Sequence, residues 1–341
     1  FPVEIESTEP LDNTSRYEDI FIEENQLFNE EKETLNISGI KIDTPIKILT
    51  WSEQYAISTN NISNFSYKGN NKILSKGKKL NKFESHINYK GNSAVFYKEN
   101  LISYDHKGTI FMYSIGSKKK IFKYNFYKKN FKNYEKKIKF LLVKDTLYAA
   151  DNLGYLYSIN LNTKSLIWAK NYGIPFRSNL KLANGQIFLA NQDNVIYAIN
   201  ASTGNEQWQF ATSLTFLKTD FQNNFALDKI NNNLLFLNTS GELYSINYVT
   251  QKINWVLNFK NSSTFAGDFD LFLSQPILIK KNNFFISTEK TILSYNLDTI
   301  SRNWSFPIST LLKPIITNNY IFIISKSNLL ICLDNKNGEV I

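Results

Sequence analysis

The fold is decided by the stretch LYAADNLGYLYSINLNTKSLIW at residues 147–168, which is followed by IFLANQDNVIYAINASTGNEQW at residues 187–208. In both, an apolar run, a polar turn, a second apolar run, a Thr-containing turn and a closing tryptophan occur in the same order. The two tryptophans, Trp168 and Trp208, lie 40 residues apart. Self-similarity at a period of this length indicates a repeat architecture.

The apolar runs are predicted to be strands. Each is short, rich in Ile, Leu, Phe, Tyr and Val, and bounded by Asn, Asp, Gly, Ser or Thr. The turns at 151–154 and 162–164 are too short for a crossover connection, so consecutive strands must pair as antiparallel neighbours. One four-stranded sheet cannot bury both of its faces, but sheets stacked around an axis can. The sequence therefore predicts an all-β fold, a β-propeller of four-stranded antiparallel blades, in which each closing tryptophan seals the junction between adjacent blades.

Seven repeats are recognisable, and two of them are imperfect. A degenerate first blade is expected from about residue 40 to residue 80, with strands at 45–51 and 54–58. Clearer copies close at Phe122, Trp255 and Trp304. The last copy stops at Ile341, one residue before the matching aromatic position, so we expect the sequence to be cut inside a repeat. The propeller is assigned to residues 38–341.

Composition separates the beginning of the chain from the rest. The 341 residues are 43% hydrophobic, with no apolar run long enough to span a membrane. Residues 1–34 contain eleven acidic and two basic side chains, a net charge of −9 that leaves +18 on the remainder. We therefore predict that residues 1–37 are an extended, disordered acidic tether. The single Cys332 excludes an internal disulfide.

The repeat pattern Asp/Asn-x-x-Gly-x-Leu/Ile-Tyr-x-Ile-Asn-x-x-Thr-Gly-x-x-x-x-Trp resembles the quinoprotein-type (PQQ-like) propeller repeat. Residues 151–168, 193–208 and 240–255 carry it most clearly. Within that superfamily the chain is most similar to the BamB family, lipoprotein scaffolds of the outer-membrane β-barrel assembly machinery. The likeness implies eight blades in the complete propeller and a location on the periplasmic face of the bacterial outer membrane. The family's lipid anchor is not visible in this chain.

The resemblance also implies a partner. In the BamB family the loop after the closing tryptophan docks a POTRA domain of BamA, and Phe176 and Arg177 take the corresponding places here, beside Pro175. Asp220, in the next inter-blade loop, is a weaker candidate. Phe with Arg is a common composition of a binding hot spot. Two alternatives stay open, namely burial of Phe176 between blades and a solvated loop charge for Arg177. The implied protein is a non-enzymatic scaffold, a monomer within a complex.

A quinoprotein dehydrogenase or ligand-binding propeller is the second hypothesis. It requires a carboxylate base, Ca²⁺ and, in the enzymes that this repeat resembles, a vicinal Cys pair. A funnel lined by carboxylates and a Trp parallel to an empty slot on the propeller axis would favour it. One cysteine cannot supply the pair, and Asp151, Asp193 and Asp334 occupy turn positions of the repeat. The two histidines have no second ligand at metal spacing. We predict no catalytic, cofactor or metal site. An interaction propeller with other partners is the third hypothesis.

The strongest charge feature is the stretch 118–139, in which ten lysines alternate with aromatic residues and Glu135 is the only acid. This composition can bind single-stranded nucleic acid or an anionic membrane surface. Alternatively, residues 121–126 form an outer strand that alternates core aromatics with solvated lysines, and an inter-blade loop follows. We favour the outer strand, keep an anionic membrane surface as a candidate partner, and predict no nucleic acid.

Overall fold

The computed structural model describes residues 39–48, 50–67, 94–105, 107–127, 131, 133–215, 223–260 and 271–341. Within these ranges it is all-β, with strands in six antiparallel sheets, of which five have four strands and the last has three. Strands that are consecutive in the chain are neighbours in the sheet. Because each sheet is a simple meander, it has the connectivity of a propeller blade. The prediction of an all-β propeller with four-stranded antiparallel blades is confirmed.

The strands are numbered in chain order, and the sheets are numbered in the order in which their strands occur in the chain. Sheets 1 to 3 consist of β1 Val95–Tyr97, β2 Asn100–Tyr104, β3 Thr109–Ser114, β4 Lys119–Asn125, β5 Ile138–Val143, β6 Thr146–Asp151, β7 Tyr155–Asn160, β8 Ser165–Asn171, β9 Lys181–Ala183, β10 Gln186–Ala190, β11 Val195–Asn200 and β12 Glu206–Ala211. Sheets 4 to 6 consist of β13 Asn224–Asp228, β14 Asn233–Leu237, β15 Glu242–Asn247, β16 Lys252–Asn258, β17 Leu278–Lys280, β18 Asn283–Ser287, β19 Ile292–Asn296, β20 Arg302–Phe306, β21 Ile315–Ile316, β22 Tyr320–Ile324 and β23 Leu330–Asp334.

The apolar core lies between adjacent sheets. Four clusters of buried side chains join sheet 1 to sheet 2, sheet 2 to sheet 3, sheet 3 to sheet 4, and sheet 4 to sheet 5. Strands β7 and β11 are buried along their central four residues, because both of their faces are covered. The outer strand β8 has one buried residue, Trp168. Stacking of sheets therefore supplies the burial that a single sheet lacks.

The closing tryptophans seal the junctions as predicted. The indole N–H of Trp168 donates to the carbonyl of Ala201 in sheet 3 at 3.0 Å, and that of Trp304 donates to Asn335 in sheet 6 at the same distance. In the five four-stranded sheets a register shift falls directly before the aromatic residue of the outer strand. Because a bulge redirects the following side chain, the repeated irregularity turns each aromatic toward the next sheet.

The predicted first blade is wrong for the residues that the structure describes. The range 39–67 contains no strand, only single bridges such as Trp51 with Phe96 and Glu53 with Leu141. Ala56 and Asn60 have positive φ, which interrupts an extended chain. Residues 45–51 and 54–58 have the composition of strands, but they do not build a separate sheet. The bridges of Trp51 and Glu53 go to strands of sheets 1 and 2.

Instead, residues 50–61, here called the central segment, contact the innermost strand or its first residues in all six sheets. The backbone carbonyls of Trp51, Ser52, Ser58 and Thr59 accept from sheets 1, 2, 4 and 5 at 2.7 to 3.0 Å. Lys181 of sheet 3 donates to the carbonyl of Ile57 at 3.3 Å. Asn61 exchanges two side-chain hydrogen bonds with the backbone of Ile316 in sheet 6. The central segment therefore lies along the propeller axis.

All six sheets lie within one compact unit, Lys41–Val340. Residues 1–38 lie outside the described residues, so the acidic tether stays a prediction. Among the described residues there is no helix of the length and hydropathy that crossing a bilayer requires.

Candidate docking site at the loop between sheets 2 and 3

The inter-blade loop, residues 172–180, connects β8 to β9 and is held by backbone hydrogen bonds to the turns of both sheets. The amide of Tyr172 donates to the carbonyl of Gly154 at 2.8 Å, and that of Arg177 donates to Ala190 at 3.0 Å. The carbonyl of Pro175 accepts from Gln192 at 2.8 Å. Anchoring on two sheets gives the loop a fixed position on a rigid framework, which suits a binding surface.

The turn beneath this loop requires glycine. Gly154 has a φ of +86°, and a Cβ there would lie 2.9 Å from the backbone nitrogen of Ile174. A larger residue would push the loop away from sheet 2 and would be strained in the left-handed region. The Gly of the repeat therefore sets how closely the inter-blade loop approaches the blade.

Phe176 lies in the core between sheets 2 and 3. It is 3% exposed, and its ring centroid is 5.6 Å from that of Tyr172 and 6.0 Å from that of Tyr197. The structure thus places Phe176 in the packing role that the sequence left open as the alternative to docking. Arg177 and Pro175 are half-buried on the same loop, with part of their surface accessible. Asp220 lies outside the described residues.

Arg177 lies near a lysine of the neighbouring blade. Lys139, on the innermost strand β5, is 9% exposed, and its Nζ is 3.4 Å from the Gln54 side-chain oxygen of the central segment. Burial, together with the positive charges of Arg177 and Lys137, lowers the pKa of the Lys139 ammonium to about 7.

Sequence reasoning missed the polar cluster that fixes the central segment. Lys181 on β9 has a fully buried side chain, and its Nζ forms an ion pair with Glu53 and donates to the Asn60 side-chain oxygen at 2.6 Å. Burial lowers the pKa of Lys181, and the Glu53 carboxylate opposes that shift. Asn60 also donates to the carbonyl of Ile277 at 2.8 Å. The partners are more than a hundred residues apart, so no local pattern could have revealed them.

The basic stretch divides into three environments. On β4, Phe122 is buried while the lysines are exposed, so the outer-strand interpretation is confirmed for residues 121–125. Lys136 is 1% exposed, with its Nζ 5.2 Å from the centroid of the Tyr127 ring. Lys139 faces the axis on β5. Residues 128–130 and 132 lie outside the described residues, so the anionic membrane surface stays a prediction.

Asp151 and Asp193 lie in turns as predicted, but they do not occupy equivalent positions in their blades. One Asp151 carboxylate oxygen accepts from the amides of Leu153 and Tyr155 at 2.8 Å, and the other accepts from the Tyr127 hydroxyl at 2.6 Å. In sheet 3 the same position is Asn191 rather than Asp193, whose amide donates to the Asn191 side chain at 2.9 Å. Burial raises the pKa of Asp151. The part of the chain that the structure describes contains no cluster of three or more His, Cys, Asp or Glu residues that could hold a metal.

Comparison with known proteins gives a family match and likenesses to solved structures. The family model described as outer membrane protein assembly factor BamB matches residues 137–341. The crystal structure of BamB from Moraxella catarrhalis is similar at a TM-score of 0.56 and 10% identity, over 73% of this chain and 70% of that chain. Saccharomyces cerevisiae Sqt1 is similar at 0.55 and 10% identity, over 70% of this chain and 69% of that chain. No curated protein sequence matches. At such identity the structural likenesses concern the fold.

Proposed function

Since the chain belongs to the family of the outer membrane protein assembly factor BamB, whose model matches residues 137–341, we propose that it is a non-enzymatic scaffold of the outer-membrane β-barrel assembly machinery. It docks a POTRA domain of a BamA-like partner through the inter-blade loop. It acts at the periplasmic face of the outer membrane, as a monomer within a complex. The family match is the observation that carries this proposal.

The geometry of the inter-blade loop supports docking. A surface that is already ordered loses little conformational entropy on binding, and backbone bonds to sheets 2 and 3 hold this loop in place. Arg177 supplies a guanidinium for a carboxylate of the partner. Phe176 supports the loop from below instead of entering the partner. The partner-facing residues are therefore Arg177 and Pro175.

The central segment supports a scaffold over a quinone-dependent enzyme. An empty, carboxylate-lined slot on the axis would favour the second hypothesis, but residues 50–61 lie there and contact all six sheets. The carboxylate found there among the described residues, Glu53, is paired with Lys181. The residues of the axis are thus engaged in holding the fold together.

Binding to the POTRA domains of BamA from the same source tests the proposal. Biolayer interferometry would compare the wild type with Arg177→Glu and with Lys252→Glu, a matched charge reversal at an exposed position of β16. We expect Arg177→Glu to weaken binding at least tenfold, because it turns an attraction into a repulsion, and Lys252→Glu to bind like the wild type. Absence of binding by a wild type with an intact β-sheet circular dichroism spectrum would refute the docking role. Equal binding by both variants would refute its location.

A further inference from the structure

The outer strands of the five four-stranded sheets share one bulge position, directly before the closing aromatic residue. The register shift skips this residue, so it has no partner on the third strand of its sheet. In sheet order the bulge residues are Ile121, Ile167, Gln207, Asn254 and Asn303. The position is therefore aliphatic in sheets 1 and 2 and polar in sheets 3 to 5. Ile121 is 39% exposed and Ile167 is 48% exposed.

A buried serine shows what the bulge residue does in the other sheets. In sheets 4 and 5 the bulge asparagine donates its side-chain amide to a buried serine of the third strand, at 3.2 Å from Asn254 to Ser245 and at 3.1 Å in sheet 5. Ser158 is the matching serine of sheet 2, since both serines pair in register with the closing tryptophan. Its buried hydroxyl has no hydrogen-bond partner among the residues that the structure describes. A buried hydroxyl without a partner lowers stability, so the exposed Ile167 stands where an asparagine would stabilise the blade.

Lysines surround the aliphatic side chains of sheets 1 and 2. The outer strands β4 and β8 and the turns before them, 115–118 and 161–164, contain no acidic residue. Lys164 Nζ donates to the carbonyl of Ile121 at 3.3 Å, which connects the two outer strands across the blade junction. Leu166, 39% exposed, adds a third aliphatic side chain. The basic rim is defined here as Ile121, Leu166 and Ile167 with the exposed Lys118, Lys119, Lys123, Lys164 and Lys170.

From this composition we infer that the basic rim binds the surface of a lipid bilayer that contains anionic headgroups. The outer strands lie on the outside of the ring of blades, where an extended surface can reach them. Each lysine near an anionic bilayer strengthens binding about fivefold. The aliphatic side chains enter the interfacial region while the ammonium groups stay at the level of the headgroups. The inference goes beyond the docking of a BamA-like partner and does not depend on it.

Protection of a strand edge explains only the lysines. Lysines on an outer strand prevent its pairing with other chains, but this role gives no reason for an isoleucine at the bulge beside Ser158. Three half-exposed aliphatic side chains are also few for the apolar centre of a protein interface, from which charged residues are depleted. An anionic bilayer accounts for the lysines and the aliphatic side chains together.

Flotation of the full chain with lipid vesicles tests the inference. The vesicles contain phosphatidylglycerol and phosphatidylcholine in equal parts, and vesicles of phosphatidylcholine alone are the uncharged reference. We expect the wild type to bind the anionic vesicles only. Lys119→Gln/Lys123→Gln should weaken binding about 25-fold, because two headgroup attractions are lost. Lys229→Gln/Lys290→Gln removes the same charge from exposed turn positions of sheets 4 and 5 and should leave binding close to that of the wild type.

Ile167→Asn tests the aliphatic part of the basic rim. The variant gives sheet 2 the bulge residue of sheet 4, so Ser158 gains a hydrogen-bond donor and the thermal midpoint should not fall. Vesicle binding should nevertheless weaken about fivefold, because an aliphatic side chain that enters the bilayer is lost. The control is Ile253→Asn on β16 of sheet 4, where the isoleucine is 43% exposed and β16 carries one lysine. It should bind like the wild type.

Three results would overturn the inference. Absence of wild-type binding to the anionic vesicles would assign the lysines to an acidic protein surface instead. Equal losses in the two lysine pairs would show that binding follows net charge alone. Undiminished binding by a folded Ile167→Asn would remove the aliphatic side chains from the contact. Since no POTRA domain is present, none of these outcomes depends on whether BamA is the partner.

Discussion

The ion pair between Lys181 and Glu53 gives the sharpest test of how the central segment is held. Lys181→Met removes a cation whose side chain is fully buried and leaves the Glu53 carboxylate, 9% exposed, without its counter-charge. Removal of one partner of a buried pair costs about 3–5 kcal/mol of unfolding free energy. With an m value of roughly 3 kcal/mol/M, the urea midpoint falls by about 1 M or more.

Urea unfolding followed by tryptophan fluorescence measures this loss, since Trp168 and Trp304 report on blade junctions. The double variant Glu53→Gln/Lys181→Met leaves no buried charge and should recover at least half of the loss. Lys326→Met, which breaks the exposed pair with Glu289 at 3.9 Å, is the control and should leave the midpoint unchanged. A loss below about 1 kcal/mol for Lys181→Met, or a double variant no more stable than the single one, would refute the reasoning.

Three further predictions concern turns and the axis. Gly204→Ala puts a Cβ 2.5 Å from Cε3 of Trp168 and should lower the free energy of unfolding, measured by denaturant titration, by about 1–3 kcal/mol. The control is Gly185→Ala, where φ is similar but no atom lies within 4 Å, and its loss should be clearly smaller. Ile300 has a φ of 58° where sheet 3 has Gly204, so Ile300→Gly should raise stability by about 1 kcal/mol; an unchanged thermal midpoint would contradict strain there. The pKa of Lys139 is depressed to about 7 on folding, so between about pH 7 and pH 9 the unfolded state binds more protons and stability rises by about 2 kcal/mol. Unfolding curves across this range should show the rise in the wild type and lose that part of it in Lys139→Met.

The blades were predictable because their information is local. Strand β7 and the turn at Asp151 are specified by residues within a few positions of one another, and the tryptophan recurs at a fixed offset. The central segment was not predictable in this way. Its apolar residues resemble a strand, but Asn60 and Asn61 bond to backbone groups 165 to 255 residues away. Periodicity carries no information about such partners.

The candidate site shows the same division. The loop and its Arg177 follow from the position after Trp168, and Arg177 is half-buried on that loop. The burial of Phe176 depends on the shape of the space between Tyr172 and Tyr197, which belong to different sheets. Lys139 looked like one more lysine of a basic loop. In the structure residues 138–143 form strand β5, and this strand directs Lys139 toward the axis.

The central segment also sets an order for biosynthesis. Residues 50–61 leave the ribosome before any of the six sheets, yet Asn61 bonds to Ile316, near the end of the chain. Contacts so distant in sequence form late, because the intervening loop must close first. During translation the central segment therefore lacks its partners, and its polar groups remain hydrated while the blades fold one after another. Binding of the central segment to the last sheet is then the step that joins all six sheets around the axis.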